Sequence, residues 1–484
     1  MRRLAFLSTA LLAGCTTVGP NYRQPAIATP DHFAEANAQS GLSDAELSAW
    51  WRGFGDPQLD ALVNRAIAQN LDVQTAAARI REARAREILA GASSRPQVDA
   101  QTSATRQRIS ENAIPVPPGG GGSNSGTFGL PGSEFSTFRV GFDASWELDL
   151  FGRTRRSVEA AQARSGAARW NRRDVQVSVA AEVANAYLAL RTLQQRIATA
   201  EAELARQRRF EQLVAARTRG GLITGQDLEQ QRSERSTAAA AIPPLSAEAE
   251  AQIHALGVLT GETPEALIAE LSAAAILPAA PPEIPVGLPS DLLRRRPDIR
   301  SAEREVAAST ADIGVAIADL YPRFSLTAAP ALVSTALASL LEWGSRSFSI
   351  GAAIDWPLLN GGLTRGNIAV ANARQEQALI VYRKAVLTAL QDVEDALSKT
   401  DGDRRQLAQL QAAVGTAARA EDIARTRYRG GLVTFSDVLL AQQRRLKLED
   451  QVTETRGALA RDTVALFKAL GGGWPDVPQA EPQP

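Results

Sequence analysis

The sequence holds very little of the chemistry that catalytic and metal sites commonly use. Among its 484 residues there are one cysteine and two histidines, His32 and His254. A single cysteine excludes an internal disulfide framework and a cysteine-rich metal site, and two distant histidines leave little for a histidine-based centre. No Gly-Lys pair, no H-E-x-x-H and no G-x-S-x-G motif occurs either. We therefore expect a protein that is not an enzyme and has no cofactor and no metal site.

The net charge and the aromatic content of the chain are also low. Basic and acidic side chains number 53 each, so the formal net charge is zero. A neutral chain has no long-range attraction to nucleic acid or anionic lipid, and we expect no nucleic-acid partner. Hydrophobic residues make up 44% of the chain but aromatic residues only 5%. This composition favours long, closely packed helices over the core of a conventional enzyme.

The N-terminus has the pattern of an export signal. Two arginines follow Met1, and residues 4–13 form an apolar run of about ten residues, too short to cross a bilayer as a helix. This pattern predicts a signal peptide over residues 1–14. The only cysteine, Cys15, stands where bacterial lipoprotein signals place the lipidated residue, which implies acylation there, for example by palmitate. An ordinary signal followed by a chance cysteine is the alternative. In such lipoproteins an aspartate after the cysteine favours the inner membrane, so Thr16 favours the outer membrane.

The rest of the chain contains a tandem repeat. Similar residues recur at an offset of 210 positions, without a gap over residues 146–228. The recurring features are Arg219–Thr224 with Arg429–Thr434, Asp227 with Asp437, and Trp146 with Trp356. Chance similarity between two helices rich in alanine and arginine does not explain why glycines, tryptophans and aspartates keep one register. The chain is therefore predicted to be two fused copies of one unit.

Each repeat is predicted to contain a helix, two strands, a long helix, a tight turn and another helix. Heptad spacing marks the long helices, and alternation of apolar and polar residues marks the strands. The first repeat gives helices 56–90, 154–217 and 223–256 and strands 97–106 and 138–149; the second gives helices 290–320, 364–429 and 433–470 and strands 323–328 and 348–356. Residues 109–134, rich in glycine, proline and serine, are predicted to form a loop.

Three local features modify this pattern. Asp401-Gly402-Asp403 interrupts the heptad seam of the second long helix. Pro243 and Pro244 predict a break in the returning helix of the first repeat. The run Arg294–Arg296 is interpreted as the start of a solvated helix, not as a nucleic-acid patch.

The chain then divides into six segments. They are the signal peptide 1–14, a lipidated N-terminal segment 15–55, the first repeat 56–256, a linker 257–289, the second repeat 290–470 and a C-terminal tail 471–484. The two shorter helices of a repeat together match the length of its long helix, so the simplest packing stacks them end to end beside it. Four strands would then lie at one end of a rod, and two glycine turns at the other.

The number of strands favours a trimer. A strand edge cannot stay unpaired in a bilayer, because its backbone N–H and C=O groups would have no partner. Known membrane barrels begin at about eight strands, and about eight strands leave a lumen filled by side chains. Two chains would give such a plugged barrel, whereas three chains would give twelve strands with room for a channel.

Several segments together form a specific set of motifs. They are Val18–Tyr22 after Cys15, Trp50–Trp51, Asp56–Leu59, Ile242–Leu245, Leu292–Arg300, Tyr321–Leu326 and Tyr428–Gln442. With them the whole chain resembles the TolC-type outer-membrane efflux proteins, in particular the lipoprotein (NodT/OprM-like) branch that serves resistance-nodulation-division pumps. The resemblance implies a mainly α-helical fold with a β membrane part. It would be a homotrimer with a twelve-stranded barrel that continues into a periplasmic α-helical barrel, with residues 257–289 in an equatorial belt.

The same resemblance implies the exit duct of a tripartite efflux system. Such a duct passively conducts small molecules such as drugs to the exterior. Its partners would be an inner-membrane resistance-nodulation-division pump, a periplasmic adaptor (membrane fusion) protein, and outer-membrane lipid held through Cys15. The outer-membrane duct of a type I protein secretion system is the alternative, although Ile242–Leu245 and the predicted lipidation favour the drug-type pump. A lipoprotein enzyme and a purely structural coiled-coil lipoprotein fit less well, since the first needs catalytic motifs and the second lacks alternating strands.

The resemblance places the periplasmic gate and the adaptor-docking surface at the two glycine turns. Tyr428 and Asp437 match family gate residues, but Leu440 and Val433 replace a gate aspartate and a gate arginine. We therefore predict a different latch. Its gate residues are Asp227, Asp437, Tyr428 and Arg429, with charge pairs to Arg217, Arg219 and Arg427. The docking residues are Gly220, Gly221, Leu222, Thr224, Gly430, Gly431, Leu432 and Thr434. Each aspartate fits a helix N-cap equally well, and the glycines also fit turn geometry alone.

Overall fold

The computed structural model describes residues 17–34, 42–110, 134–221, 223–281 and 284–474. The main helices are α1 (Pro57–Gln69), α2 (Leu71–Ala92), α3 (Arg153–Arg219), α4 (Gly225–Ala240), α5 (Ile242–Leu259), α6 (Pro297–Ala318), α7 (Leu363–Arg429) and α8 (Phe435–Ala469). The strands are β1 (Gln97–Arg108), β2 (Glu134–Leu148), β3 (Arg323–Ala328), β4 (Ala331–Ser334), β5 (Arg346–Ser347) and β6 (Ile350–Asp355). Short helical turns are Asp44–Ser48, Trp50–Phe54, Ile268–Leu271, Pro289–Asp291, Leu292–Arg295, Leu337–Ser339 and Trp343–Ser345. The predicted signal peptide, Cys15 and most of the predicted loop and tail lie outside the described residues.

The chain forms two compact units, and each takes segments from both sequence repeats. The first unit comprises the N-terminal segment up to Gln24, Glu82–Ser165 and Glu305–Ala378; the second comprises Pro25–Arg81, Gly166–Arg304 and the chain from Leu379 onward. All six strands belong to the first unit, and the second unit is helical. None of the described helices combines the length and the apolar character needed to cross a membrane.

The sheet has four strand positions side by side, and two of these positions are each occupied by a pair of shorter strands. β2 pairs with β1 along its whole length on one side. On its other side, residues 144–148 pair with β3 and residues 138–141 pair with β4. β6 and β5 pair in turn with β3 and β4, and all pairings are antiparallel. The sequence predicts four continuous strands; the four positions are correct, but the count is wrong, because two positions are each divided into two strands.

Pro330 explains the division between β3 and β4. Proline has no backbone N–H to donate to a ladder, so it interrupts a strand. Its carbonyl still accepts a hydrogen bond of 2.9 Å from the N–H of Phe142 on β2. Gly141 permits this close approach, since a Cβ at that position would lie 2.7 Å from the Pro330 oxygen and 2.6 Å from the Ala331 Cβ.

The two tryptophans that the repeat aligns make the same contact. The indole N–H of Trp146 donates to the carbonyl of Ser94, and that of Trp356 donates to the carbonyl of Leu320, each at 3.0 Å. Each acceptor lies between a helix and the strand that follows it. Both repeats therefore contain an indole-to-carbonyl hydrogen bond at this junction, although the acceptors Ser94 and Leu320 are not themselves related by the 210-residue offset.

The first predicted helix, 56–90, is two helices that meet at Asn70. The Asn70 side chain is buried, and its oxygen accepts hydrogen bonds from the N–H groups of Asp72 (2.9 Å) and Val73 (3.2 Å), which caps α2. Its Nδ2 donates to the carbonyl of Leu259 at 2.9 Å. This bond to the end of α5 gives the break a tertiary cause, which explains why a local sequence pattern does not predict it.

The predictions for the other helices have mixed outcomes. The break before Pro243 and Pro244 is confirmed, because α4 ends at Ala240 and α5 begins at Ile242. The heptad seam of α3 is confirmed by the burial of Val183 and Leu190. Asp401-Gly402-Asp403 lies within α7, which continues through these residues as one helix, so the predicted interruption of the heptad seam is not a break in the helix.

A carboxyl pair joins α7 to α8. Burial comes first among the causes that raise the pKa of Asp403 from 3.8 to about 6, followed by its hydrogen bond with Asp462 and the negative charge of that residue. The folded protein therefore keeps a proton on Asp403 at a pH where the unfolded chain has lost it. This stabilising contribution is complete below about pH 4 and is lost as the pH rises through about 6.

Asp403→Asn is therefore expected to flatten the pH dependence of stability between about pH 4 and about pH 6. At pH 8 it should raise the free energy of unfolding by at most about 1 kcal/mol, since solvent screens a group this exposed. Denaturant unfolding at a series of pH values measures both effects. Asp401→Asn is the matched control, because Asp401 pairs with Arg405 on the exposed side of the same turn. An unchanged slope in the Asp403 variant would contradict the assignment.

Candidate functional site at the helix-turn tips

Two glycine turns reverse the chain at the ends of the long helices α3 and α7. Only the second glycine of each pair has the left-handed backbone that favours glycine: Gly221 has φ +71° and Gly431 has φ +70°. After α7, the N–H of Gly431 donates to the carbonyl of Tyr428 and that of Leu432 to the carbonyl of Arg427, each at 3.0 Å. This pair of bonds is a Schellman motif, which satisfies the last carbonyls of a helix. After α3, Gly221 makes the corresponding bond to Thr218, also at 3.0 Å, while Leu222 lies outside the described residues.

A threonine–aspartate pair starts the helix after each turn. The hydroxyl and N–H of Thr224 donate to Oδ2 of Asp227 at 2.8 and 3.1 Å. Thr434 and Asp437 repeat this arrangement at 2.7 and 2.8 Å. The N-cap residues are therefore the threonines, and the aspartates stand three residues later, which corrects the N-cap interpretation of the aspartates. The Thr434 hydroxyl and then its N–H hold the pKa of Asp437 below its usual value.

The interhelix charge pairs expected for the latch do not form within the described part of the chain. The Arg217 guanidinium lies over the ring of Tyr428, 5.5 Å from its centroid. Arg219 donates to the carbonyl of Ala215 on its own helix at 3.4 Å. Neither Asp227 nor Asp437 has an ion pair among the described residues, because the carboxylates are directed to their capping threonines.

An aromatic cluster that the sequence analysis misses lies behind the second turn. The rings of Phe210 on α3 and Phe435 on α8 are 5.0 Å apart, and Tyr428 on α7 is 5.8 Å from Phe435. Phe435 is 5% exposed. The three rings hold three helices together next to Arg429. Tyr428 and Phe435 flank the second turn, whereas Thr218 and Gly225 stand at the equivalent positions of the first turn, and this difference is a sequence signal for two of the three rings.

Two buried carboxylates, each about two helical turns before a ring of the cluster, support these helices. Glu203 accepts hydrogen bonds from Arg206 (2.8 Å), Gln207 (2.6 Å) and Gln442 (2.5 Å), which links α3 to α8. Glu421 on α7 pairs with Arg425 at 2.6 Å and also with Arg445 of α8. The buried charges are thus paired, as burial requires.

The predicted docking residues that the structure describes are all on the surface. They are Gly220, Gly221, Thr224, Gly430, Gly431, Leu432 and Thr434. Leu432 is 77% exposed, and Leu440 nearby is 62% exposed. Large apolar side chains at the end of a helical hairpin are available to a partner surface. The two turns therefore bring together the features expected of a docking tip, although their role as a tip stays a prediction.

An antiparallel sheet whose described strands leave two edges free, combined with helical hairpins of this length, defines the class of TolC-type channels. Comparison with known proteins agrees. The family model "Outer membrane efflux protein" matches residues 62–262 and 288–472. The chain belongs to this family, is mainly α-helical with a β membrane part, and is an outer-membrane efflux channel with a periplasmic helical extension.

Individual relatives are similar over nearly their whole length. The pyoverdine export outer membrane protein OpmQ of Pseudomonas aeruginosa is 33% identical over 477 residues, which cover 98% of this chain and 97% of that protein. Nodulation protein T of Rhizobium leguminosarum bv. viciae is 30% identical, covering 99% and 95%. The solved structure of the outer-membrane channel OprN is 34% identical with a TM-score of 0.84, and the match covers 94% of this chain and 99% of that chain.

Proposed function

We propose that three copies of this chain close a twelve-stranded barrel in the outer membrane. The free edges of the sheet carry this proposal. Among the described strands, β1 has a partner on one side only, and β5 and β6 end the sheet on the other side. All residues of β1 and β6 are exposed in the single chain. Because a membrane-spanning strand must pair on both sides, neighbouring chains supply the missing partners.

The channel acts as the passive exit duct of a tripartite system. It receives small molecules from an inner-membrane resistance-nodulation-division pump through a periplasmic adaptor that docks on the two glycine turns. Pyoverdine export by the Pseudomonas relative supports small molecules as the class of cargo. The exposed Leu432 and the turn residues around it supply the docking surface.

The periplasmic gate closes where Asp227, Asp437, Tyr428 and Arg429 of three chains meet. Their side chains do not ion-pair within the described part of one chain, so the latch consists of contacts between chains. Asp437 keeps its negative charge because the pKa of its carboxyl is lowered by Thr434. Rings of like charge at a constriction favour one sign of ion and respond to pH and to salt.

The gate is tested by single-channel conductance of the purified protein in planar bilayers. Asp227→Ala/Asp437→Ala trimers are expected to conduct at least about tenfold more than the wild type, because the aperture loses its acidic ring. Thr224→Val/Thr434→Val is the matched control, since it removes the same caps and leaves the carboxylates. If the aspartate variant conducts no better than the wild type, or if both variants open equally, the aspartates serve the turn and not the gate.

The N-terminal segment that follows Cys15 is held firmly in the first unit. The N–H of Val18 donates to the carbonyl of Phe151 at 3.1 Å. The buried Arg156 donates to the carbonyls of Val18 (3.1 Å) and Gly19 (3.2 Å) and to the Asn21 side chain (2.7 Å). Acyl chains on Cys15 would therefore enter the lipid close to the junction of β2 and α3.

Lipidation is tested by metabolic labelling with an alkyne palmitate analogue. The wild type should carry the label, and Cys15→Ser should lose it, because this is the only cysteine in the chain. Mass spectrometry of the N-terminal peptide should begin at Cys15 with acyl groups attached. Equal labelling of both proteins, or an unmodified Cys15, would refute the anchor without affecting the channel.

A further inference from the structure

A cleft of about 460 Å³ opens beside the second glycine turn, between α3, α7 and α8. All three walls belong to the helical unit. Arg209, Arg217 and Arg429 line it together with Phe210 and Tyr428. Cavities of about 300–1,000 Å³ are the size that small organic ligands occupy.

The cleft carries uncompensated positive charge. Two further arginines on its wall, Arg206 and Arg425, are neutralised by the buried carboxylates Glu203 and Glu421, at 2.8 and 2.6 Å. Within the described part of the chain, Arg209, Arg217 and Arg429 have no carboxylate partner. In the single chain the guanidinium groups of Arg209 and Arg429 are thus available to an anion, while that of Arg217 already lies over the Tyr428 ring. A planar guanidinium can hold a carboxylate or sulfonate through two parallel hydrogen bonds.

The floor of the same cleft is apolar and aromatic. Phe210 and Tyr428 both pack on the buried ring of Phe435, at 5.0 and 5.8 Å. A flat ring that enters the cleft would therefore find the ring of Phe210 and, beside it, the ring of Tyr428, over which the Arg217 guanidinium already lies. We propose that this cleft is a binding site for aromatic organic acids, with the ring on Phe210 and Tyr428 and the acid group on Arg209 and Arg429.

The tandem repeat shows that this combination is not a by-product of the architecture. At the 210-residue offset, Arg209 and Arg429 correspond to Arg419 and Arg219, so both repeats keep these arginines. The aromatic residues are not kept, because Ala420 and Thr218 stand at the positions equivalent to Phe210 and Tyr428. The cleft takes Arg209 and Phe210 from the first repeat and Tyr428 and Arg429 from the second. The equivalent set of positions, Thr218 and Arg219 with Arg419 and Ala420, keeps the charge and lacks the aromatic surface.

The cleft lies at the proposed gate, so an acid bound there would affect gating. Tyr428 and Arg429 are also residues of the proposed gate, and a bound acid would join α3 to α7, which belong to different helical hairpins. Only this link to gating rests on the proposed function. The binding site itself rests on the cleft, the free arginines and the aromatic floor.

The test is a calorimetric titration of the full-length trimer in detergent with 1-naphthoate. One saturable site per chain is expected. Arg209→Ala and Arg429→Ala should each weaken binding at least about tenfold, the effect of losing one hydrogen bond to a charged group. Arg419→Ala, the same substitution at the repeat-related position, should bind as the wild type does. 1-Naphthalenemethanol, which keeps the ring but has no charge, should not bind detectably, and added salt should weaken naphthoate binding.

Phe210→Ala supplies a second arm, and each variant is first checked for trimer size and helix content. Loss of naphthoate binding in a correctly assembled Phe210→Ala trimer supports the site. Equal binding of naphthoate and its alcohol would overturn it, as would an equal loss in Arg419→Ala or the absence of saturable binding. Binding of a glutamate-rich peptide without naphthoate binding would assign the cleft to a protein partner instead. Conductance is recorded separately, so failure of the proposed gate leaves the titration result intact.

Discussion

Arg296→Ala is expected to lower the free energy of unfolding by about 3 kcal/mol. The Arg296 side chain is 9% exposed and holds three elements together. It donates to Asp392 on α7 at 2.9 Å, to the carbonyl of Ala469 at the end of α8 at 3.1 Å, and to Asp298 on α6 at 2.7 Å. Removing it leaves the Asp392 carboxylate and the buried carbonyl of Ala469 without this donor, while Asp298 keeps the hydrogen bond from the N–H of Ile299. Denaturant unfolding followed by tryptophan fluorescence measures the loss.

Arg294→Ala is the matched control, two positions earlier in the same run of arginines. The Arg294 side chain is 78% exposed, and its one ion pair among the described residues is with Asp291, at 2.7 Å. Exposed pairs of this kind contribute little, so the expected change is below about 0.5 kcal/mol. If both variants lost the same free energy of unfolding, the burial of Arg296 and its additional contacts would not contribute to stability, and the prediction would be wrong.

The same run shows where prediction from sequence stops. The interpretation of Arg294–Arg296 as the start of a solvated helix holds for Arg294 and is wrong for Arg296. The partners that bury Arg296 lie 96 and 173 residues away along the chain. A local run of three arginines contains no information about contacts at that distance.

Local patterns predicted the elements well where the cause of the structure is local. Alternation located β2, heptad spacing located α3, and the glycine pairs located both turns, because each pattern reflects the backbone conformation at that position. The break at Asn70 has a partly distant cause, the carbonyl of Leu259. That break could not be read from residues 56–90 alone.

In the candidate site, too, the features with a local cause could be predicted from sequence, and those that depend on distant contacts could not. The turn glycines, and the pairs of threonine with aspartate, follow from short-range spacing, although the assignment of the cap to the threonine needed the structure. The aromatic cluster did not follow, since Phe210 and Phe435 belong to different repeats and meet only after both hairpins pack. The backbone of the two turns is thus symmetric, as the repeat predicts. The side chains around the turns are not symmetric, and the repeat does not predict them.

Arg191→Met is expected to cost about 4 kcal/mol of the free energy of unfolding, the largest effect of a single substitution proposed for this protein. Arg191 is 1% exposed and stacks on Tyr187 at 4.8 Å from the ring centroid. Its guanidinium donates to the side chains of Gln58 and Gln194 and to the carbonyl of Ala273, the last at 3.0 Å. Methionine fills much of the volume but donates no hydrogen bond, so three acceptors are left unpaired at about 1–3 kcal/mol each.

Two further variants test whether the expected loss of stability comes from the hydrogen bonds of Arg191, from its charge or from its position on α3. Arg191→Lys keeps the charge and should recover less than half of the loss, because an ammonium group cannot reproduce the planar fork that serves three acceptors. Arg196→Met removes an arginine on the same helix that holds Asp450 at 2.7 and 3.0 Å but is 23% exposed. Water can replace its bonds, so it should cost about 1 kcal/mol. Were Arg196→Met as costly as Arg191→Met, the number of ionic contacts, and not the burial of the acceptors, would determine the stability of this helix.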